Sequence, residues 1–178
     1  MDFVEQSRAL RSEYLSPLVK PLQKLGITAN HLTALSFVFG LAAVWFLLSN
    51  HMYFVLFGAL HLLADAFDGV LARATKTTLF GRHFDTFSDN ILVVLIMIKS
   101  YVIFDHSFYA ITALLYAVML AVYFISKAPA LFTRTITFIG YFLNLFALCA
   151  AVVAVVTVIG LLRQVYHFTF FKPKKKPM

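Results

Sequence analysis

Residues 53–104 read YFVLFGALHLLADAFDGVLARATKTTLFGRHFDTFSDNILVVLIMIKSYVIF. Two helix-length apolar runs, 53–74 and 83–104, flank a short basic and polar link, and four aspartates stand where the runs face each other. Each run is long enough to cross a bilayer core, for which about 20 residues are needed. Only eight residues in the chain carry a carboxylate. Four of them, Asp65, Asp68, Asp85 and Asp89, fall in this one window. An uncompensated carboxylate at membrane depth costs kilocalories. Arg73 and Arg82 supply part of the opposing charge, and a divalent metal supplies it better.

Working outward, the rest of the chain is of the same kind. It has 178 residues, is 61% hydrophobic and has a mean hydropathy of +0.85. That excludes a soluble domain and predicts an integral membrane protein. The charge-free runs have helix length rather than the ten-residue alternation of a barrel strand, so the expected class is all-α. Further spans are expected near 28–49, 108–126, 128–146 and 148–171, six in all. Ser49-Asn50-His51 and Asp105-His106-Ser107 read as polar turns, and Asn144 as the turn between the last two spans. Residues 1–25 place apolar residues at roughly helical spacing between Arg8, Arg11, Lys20 and Lys24. They predict an amphipathic helix lying on the membrane surface. No repeat or linker interrupts the chain, so 1–178 is expected to form one domain.

The net charge of +7 is not a nucleic-acid signal. Lys20, Lys24, Arg73, Lys76, Arg82, Lys127 and the tail 172–178 all fall on one side if the span count is even. By the positive-inside rule that side is cytoplasmic, which places both termini and the aspartates there, in an inner or plasma membrane. The single cysteine, Cys149, lies in an apolar run and reads as a small buried hydrophobe.

Helical spacing puts Asp65 and Asp68 on one face, with Gly69 and Ala72 beside them. Asp85 and Asp89 share a face one helix later, with Gly81 a turn earlier. Oxygen-only ligands suit Mg²⁺, Mn²⁺ or Ca²⁺, and the lack of a Cys/His set argues against zinc. Metal-bound carboxylates facing the headgroup region point to phosphoryl chemistry, with the least committed carboxylate as base. A cation channel would instead need acids near mid-membrane on more than two helices. A catalytically dead scaffold would not need the intact aspartate set. Lys127 and Arg134 are seven residues apart, two turns of helix, and read as candidates for binding an acceptor phosphate. His61, a turn before Asp65, reads as a hydrogen-bonded core histidine, and Arg163 and Lys99 as snorkelling cations.

The window resembles the signature of the CDP-alcohol phosphotransferase family: Asp65-x-x-Asp68-Gly69-x-x-Ala72-Arg73, a spacer, then Gly81-x-x-x-Asp85-x-x-x-Asp89. Every fixed position is matched, with a spacer shorter than is usual. Gly26-Ile27-Thr28-Ala29-Asn30-x-x-Thr33 resembles the family's entry to the first span, with Ala29 where relatives often have Pro. The resemblance implies a six-helix membrane enzyme, usually a homodimer. It implies transfer of a phosphatidyl-type group from a CDP-linked lipid, CDP-diacylglycerol or a CDP-archaeol type, to a small polar alcohol, releasing CMP. It also implies metal ligation by Asp65, Asp68, Asp85 and Asp89, with two Mg²⁺ or Mn²⁺ ions. Asp89 is the implied base, and Asp68, Gly69, Ala72, Arg73 and Gly81 the implied nucleotide cradle, bordered by Thr33. A phosphorylated acceptor, inositol phosphate or glycerol phosphate, is expected ahead of serine.

Overall fold

A computed structural model describes Pro17 and residues 21–75 and 78–170. Most of the expected surface helix over 1–25, the link residue Lys76 and the tail 172–178 lie outside the described residues. Residues 21–24 are helical. Six helices follow: α1 (Ala29–Phe46), α2 (His51–Ala74), α3 (Leu79–Phe104), α4 (Ser107–Ser126), α5 (Arg134–Phe142) and α6 (Phe146–Phe170). There is no strand among the described residues. All but α5 are long and apolar enough to cross a membrane.

The short polar segments end helices as their chemistry dictates. Asn50 caps α2, its side chain accepting from the Tyr53 N–H at 3.1 Å. His106 caps α4 in the same way, from Phe108 N–H. Asn144 adopts a left-handed φ of 58° after α5. Its N–H donates to Tyr141 C=O and that of Leu145 donates to Gly140 C=O, the paired bonds of a Schellman end. Asn is one of the few non-glycine residues that take this conformation cheaply.

The expected span 128–146 is helical only over the nine residues of α5. At 1.5 Å per residue that is roughly 14 Å, half of a bilayer core. The cause is local. Lys127 closes α4 with a left-handed φ of 56°. Pro129 then removes an N–H and pushes Ala128 out of the helical region. Residues 127–133 therefore run without helix. Lys127 and Arg134 do not share a helical face, because the helix that would align them is broken between them.

The chain divides into two compact units, Met1–Asp89 and Asn90–Met178, with the division inside α3. In the first, α1 buries Leu32, Thr33, Ser36, Gly40 and Ala43. The facing side of α2 buries Phe54, Gly58, His61, Ala64 and Asp68. Both sets follow the 3.6-residue period, and the small residues let the backbones approach closely. Ser36 Oγ lies 2.8 Å from His61 Nδ1 and donates to His61 C=O at 3.0 Å, so the Nδ1 side of this buried imidazole is held across the helix pair. His61 is a buried, hydrogen-bonded core histidine, as expected. In the second unit, Ser100 and Tyr141 join hydroxyls at 2.6 Å between α3 and α5. Gln164 of α6 donates to Met119 C=O of α4. Trp45, Met52, Leu114 and Leu148 point outward on their helices, apolar surface suited to lipid rather than water.

Candidate active site

Asp65 and Asp68 lie on the C-terminal half of α2, and Asp85 and Asp89 near the start of α3. One oxygen from each of Asp65, Asp68 and Asp85 lies within 4.8 Å of the other two. Opposite ligands of an ion at about 2.1 Å stand about 4.2 Å apart, and of one at about 2.4 Å about 4.8 Å apart. The triad is therefore the size of a hard-cation site. Three carboxylates this close repel one another strongly where water is scarce, and Asp68 is only 5% exposed. A divalent cation relieves that repulsion and uses an all-oxygen donor set well. Asp89 falls one turn beyond Asp85 and outside this group of three.

Asp68 is oriented from α1. Thr33 Oγ1 donates to Asp68 Oδ2 at 2.8 Å, both groups being buried. The same hydroxyl stands 3.1 Å from Ala29 C=O. It has one proton, so the two acceptors compete for it.

Asp68 and Asp85 open on a cavity of about 510 Å³, in the range of small-molecule sites. Gly69 and Ala72 of α2 and Gly81 of α3 form part of its wall. So do Thr28, Ala29, Asn30 and Thr33, around the start of α1. Gly69 leaves its side of the cavity open: a Cβ there would meet nothing nearer than Arg73 Nη1, at 3.6 Å. Gly81 is in close contact with two side chains. A Cβ on it would collide with Asn30 Oδ1 and stand 3.0 Å from Thr78 Oγ1.

Two helix N-termini face this space. α1 starts in a capping box, with His31 N–H donating to Thr28 Oγ1 and Thr28 N–H donating to His31 Nδ1. α3 is preceded by Thr78, whose Oγ1 accepts from Gly81 N–H at 3.0 Å. Helix N-termini carry partial positive charge and favour anions, and Arg82 is also a residue of the cavity wall. The cavity thus has acids at one part of its wall and positive ends at another. That combination suits a metal-bound, phosphate-bearing ligand.

Of the residues expected in the nucleotide cradle, Asp68, Gly69, Ala72 and Gly81 line the cavity. Arg73 is exposed and folds back beside Gly69. Arg82 and Thr78 were not expected to line it. Their signal is slight: an arginine next to a glycine, and a threonine three residues before that glycine, the spacing of a cap. Lys127 is exposed and Arg134 half-buried, with its Nη1 shielded from solvent.

Residues 26–171 match the family described as CDP-alcohol phosphatidyltransferase. The chain therefore belongs to that family, membrane transferases that move a phosphatidyl group from a CDP-alcohol to an alcohol in lipid synthesis. The family is generally dependent on divalent metal, and the Asp65–Asp68–Asp85 triad fits that need. No curated protein matches the chain.

Proposed function

We propose that this protein transfers a phosphatidyl-type group from CDP-diacylglycerol or a CDP-archaeol-type lipid to a phosphorylated alcohol, inositol phosphate or glycerol phosphate, and releases CMP. The observation that carries the reading is the carboxylate triad, two of whose members, Asp68 and Asp85, line a cavity walled by glycines and helix N-termini. Asp65, Asp68 and Asp85 hold the divalent cations, Mg²⁺ or Mn²⁺. Asp89, outside the triad, completes a two-ion site and serves as base. When bound, the ions neutralise the pyrophosphate and the phosphate of the departing CMP.

The chain's own residues do the rest. Gly69, Ala72 and Gly81 let the cytidine diphosphate lie close to the backbone. The starts of α1 and α3, with Arg82 and Arg73, meet its anionic oxygens. Asp89 takes the proton from the acceptor hydroxyl. The hydroxyl oxygen bonds to the lipid-side phosphorus, and the bond from that phosphorus to the CMP oxygen breaks. Lys127 and Arg134 bind the acceptor's phosphate, Arg134 through its planar fork. The active site and both termini face the cytoplasm. The chain forms one domain, preceded by a surface helix. Residues 128–146 make the fifth of six crossings, only partly helical, and the protein works as a homodimer.

The test is CMP release by the purified protein in detergent with CDP-diacylglycerol and Mn²⁺. Inositol phosphate, glycerol 3-phosphate, serine, inositol and water are offered in turn. Release that needs metal and one phosphorylated acceptor, and is lost in Asp89→Asn, is expected. Release with serine alone removes the roles given to Lys127 and Arg134. No release with any acceptor, from folded protein that still binds Mn²⁺, removes the reading and points to cation transport.

A further inference from the structure

Between α4 and α5 the backbone leaves the helix over residues 127–133. In an apolar chain each peptide group of such a stretch needs a partner within the protein. The last one, Thr133 N–H, donates to the Tyr116 hydroxyl at 3.3 Å. Tyr116 in turn lies 2.6 Å from Asn90 Oδ1. All three residues are buried: Tyr116 at 0%, Asn90 at 2% and Thr133 at 2% exposure. The direction of this chain is fixed by its first link. A backbone N–H can only donate, so the tyrosine oxygen accepts there and spends its single proton on Asn90.

The two ends of the chain are informative. Asn90 directly follows Asp89 in α3. Thr133 directly precedes Arg134, the first residue of α5. Thr133 gives α5 no side-chain cap, so the point at which the helix starts is held by the bond from its backbone to Tyr116. A phenylalanine at 116 would fill nearly the same space and leave Thr133 N–H and Asn90 Oδ1 without this shared partner.

We propose that Tyr116 is a positioning residue for the acceptor: by tying Thr133 to Asn90 it fixes where α5 begins, and so where Arg134 presents its guanidinium. This rests on the reading of Arg134 as a ligand of the acceptor phosphate. Tyr116 touches no reacting atom. Its effect is confined to acceptor binding, because the triad and the cavity are built from other residues.

A matched control lies in the same unit. Tyr141 is as deeply buried and shares a 2.6 Å hydrogen bond with Ser100, with no tie to Thr133. The experiment compares Tyr116→Phe, Tyr141→Phe and wild type as full-length protein in detergent. CMP release is measured with CDP-diacylglycerol and Mn²⁺ against glycerol 3-phosphate or inositol phosphate, whichever wild type uses. In Tyr116→Phe the acceptor KM rises about tenfold, while kcat and the CDP-diacylglycerol KM stay within twofold. Tyr141→Phe loses comparable thermal stability and keeps its acceptor KM. Amide hydrogen exchange at Thr133 speeds up in Tyr116→Phe alone, a readout that does not need turnover. Unchanged exchange at Thr133 overturns the proposal, as does an unchanged acceptor KM or an equal rise in both variants. Wild type that uses only an unphosphorylated acceptor overturns the Arg134 reading before any variant is made, which separates the two failures.

Discussion

The Thr33 hydroxyl donates to Asp68 Oδ2 at 2.8 Å across the α1–α2 pair, and both residues are buried. This bond joins the first helix to the carboxylate triad. Groups that hydrogen-bond a metal ligand orient it, and their loss typically costs 10- to 100-fold in metal affinity. Thr33→Val keeps the shape and removes the proton. It is expected to weaken Mn²⁺ binding about tenfold in calorimetric titration. Thr33→Ser, which keeps the hydroxyl, is expected to restore most of it. Equal Mn²⁺ affinity in Thr33→Val and wild type would show that the bond serves packing alone.

Gly81 and Asn30 form the tightest approach on the cavity wall. Gly81→Ala drives a Cβ into Asn30 Oδ1, so either the Asn30 side chain gives way, losing its place on the cavity wall, or the start of α3 shifts against α1. Misplacing a site by about 1 Å can cost about 100-fold in rate, and a loss of about 10- to 100-fold in CMP release is expected. Asn30→Ala removes the atom in the way. The double variant should therefore recover part of what Gly81→Ala loses, a non-additivity that a double-mutant cycle reads directly. Simple additivity would show that the glycine matters for another reason.

The sequence made the helices legible because apolar length and polar turns agree at nearly every boundary. Asn50, His106 and Asn144 each sit where a helix must start or stop, and each does so through its own side chain or its tolerance of positive φ. The span around 128–146 was misread for a physical reason. Its composition is apolar apart from Arg134, a few threonines and the turn residue Asn144, but Pro129 and the left-handed Lys127 act on the backbone, which hydropathy does not register. In the site, Asp65 and Asp68 were readable from spacing, since residues three or four apart on a helix share a face, and Asp85 from the short link that makes the next helix an antiparallel neighbour. The roles of Thr78 and Arg82 in the cavity wall were not, because they depend on how α3 starts against α1. The Lys127 and Arg134 pair failed as a shared face at the same broken helix.

The triad trades stability for function. Without a cation, three carboxylates within 4.8 Å repel. Asp68→Asn removes one charge and keeps an oxygen to accept from Thr33. CMP release is expected to fall about 100-fold, roughly 3 kcal/mol of lost charge stabilisation. In the presence of a chelator, the same variant should melt higher than wild type, because the repulsion is gone. Wild-type protein treated with EDTA should lose release and regain it with added Mn²⁺. A chelator-treated Asp68→Asn that melts below wild type would show that the carboxylate is held by protein charges rather than by metal.

Ser36 and His61 test whether the α1–α2 pair is held separately from the site. Their side chains meet at 2.8 Å in the buried interface, one turn of α2 away from Asp65. Hydrogen bonds between membrane helices contribute about 0.6 kcal/mol on average and up to about 1.7. His61→Leu is expected to destabilise the protein by about 1 to 2 kcal/mol, the lost bond plus imperfect repacking. Mn²⁺ affinity should stay within twofold, because the side-chain bond from α1 to the triad runs from Thr33 to Asp68. Equilibrium unfolding in mixed micelles and Mn²⁺ titration measure the two quantities on the same sample. A tenfold fall in Mn²⁺ affinity with little loss of stability would make His61 an orienting partner of Asp65 instead of a clasp between the helices.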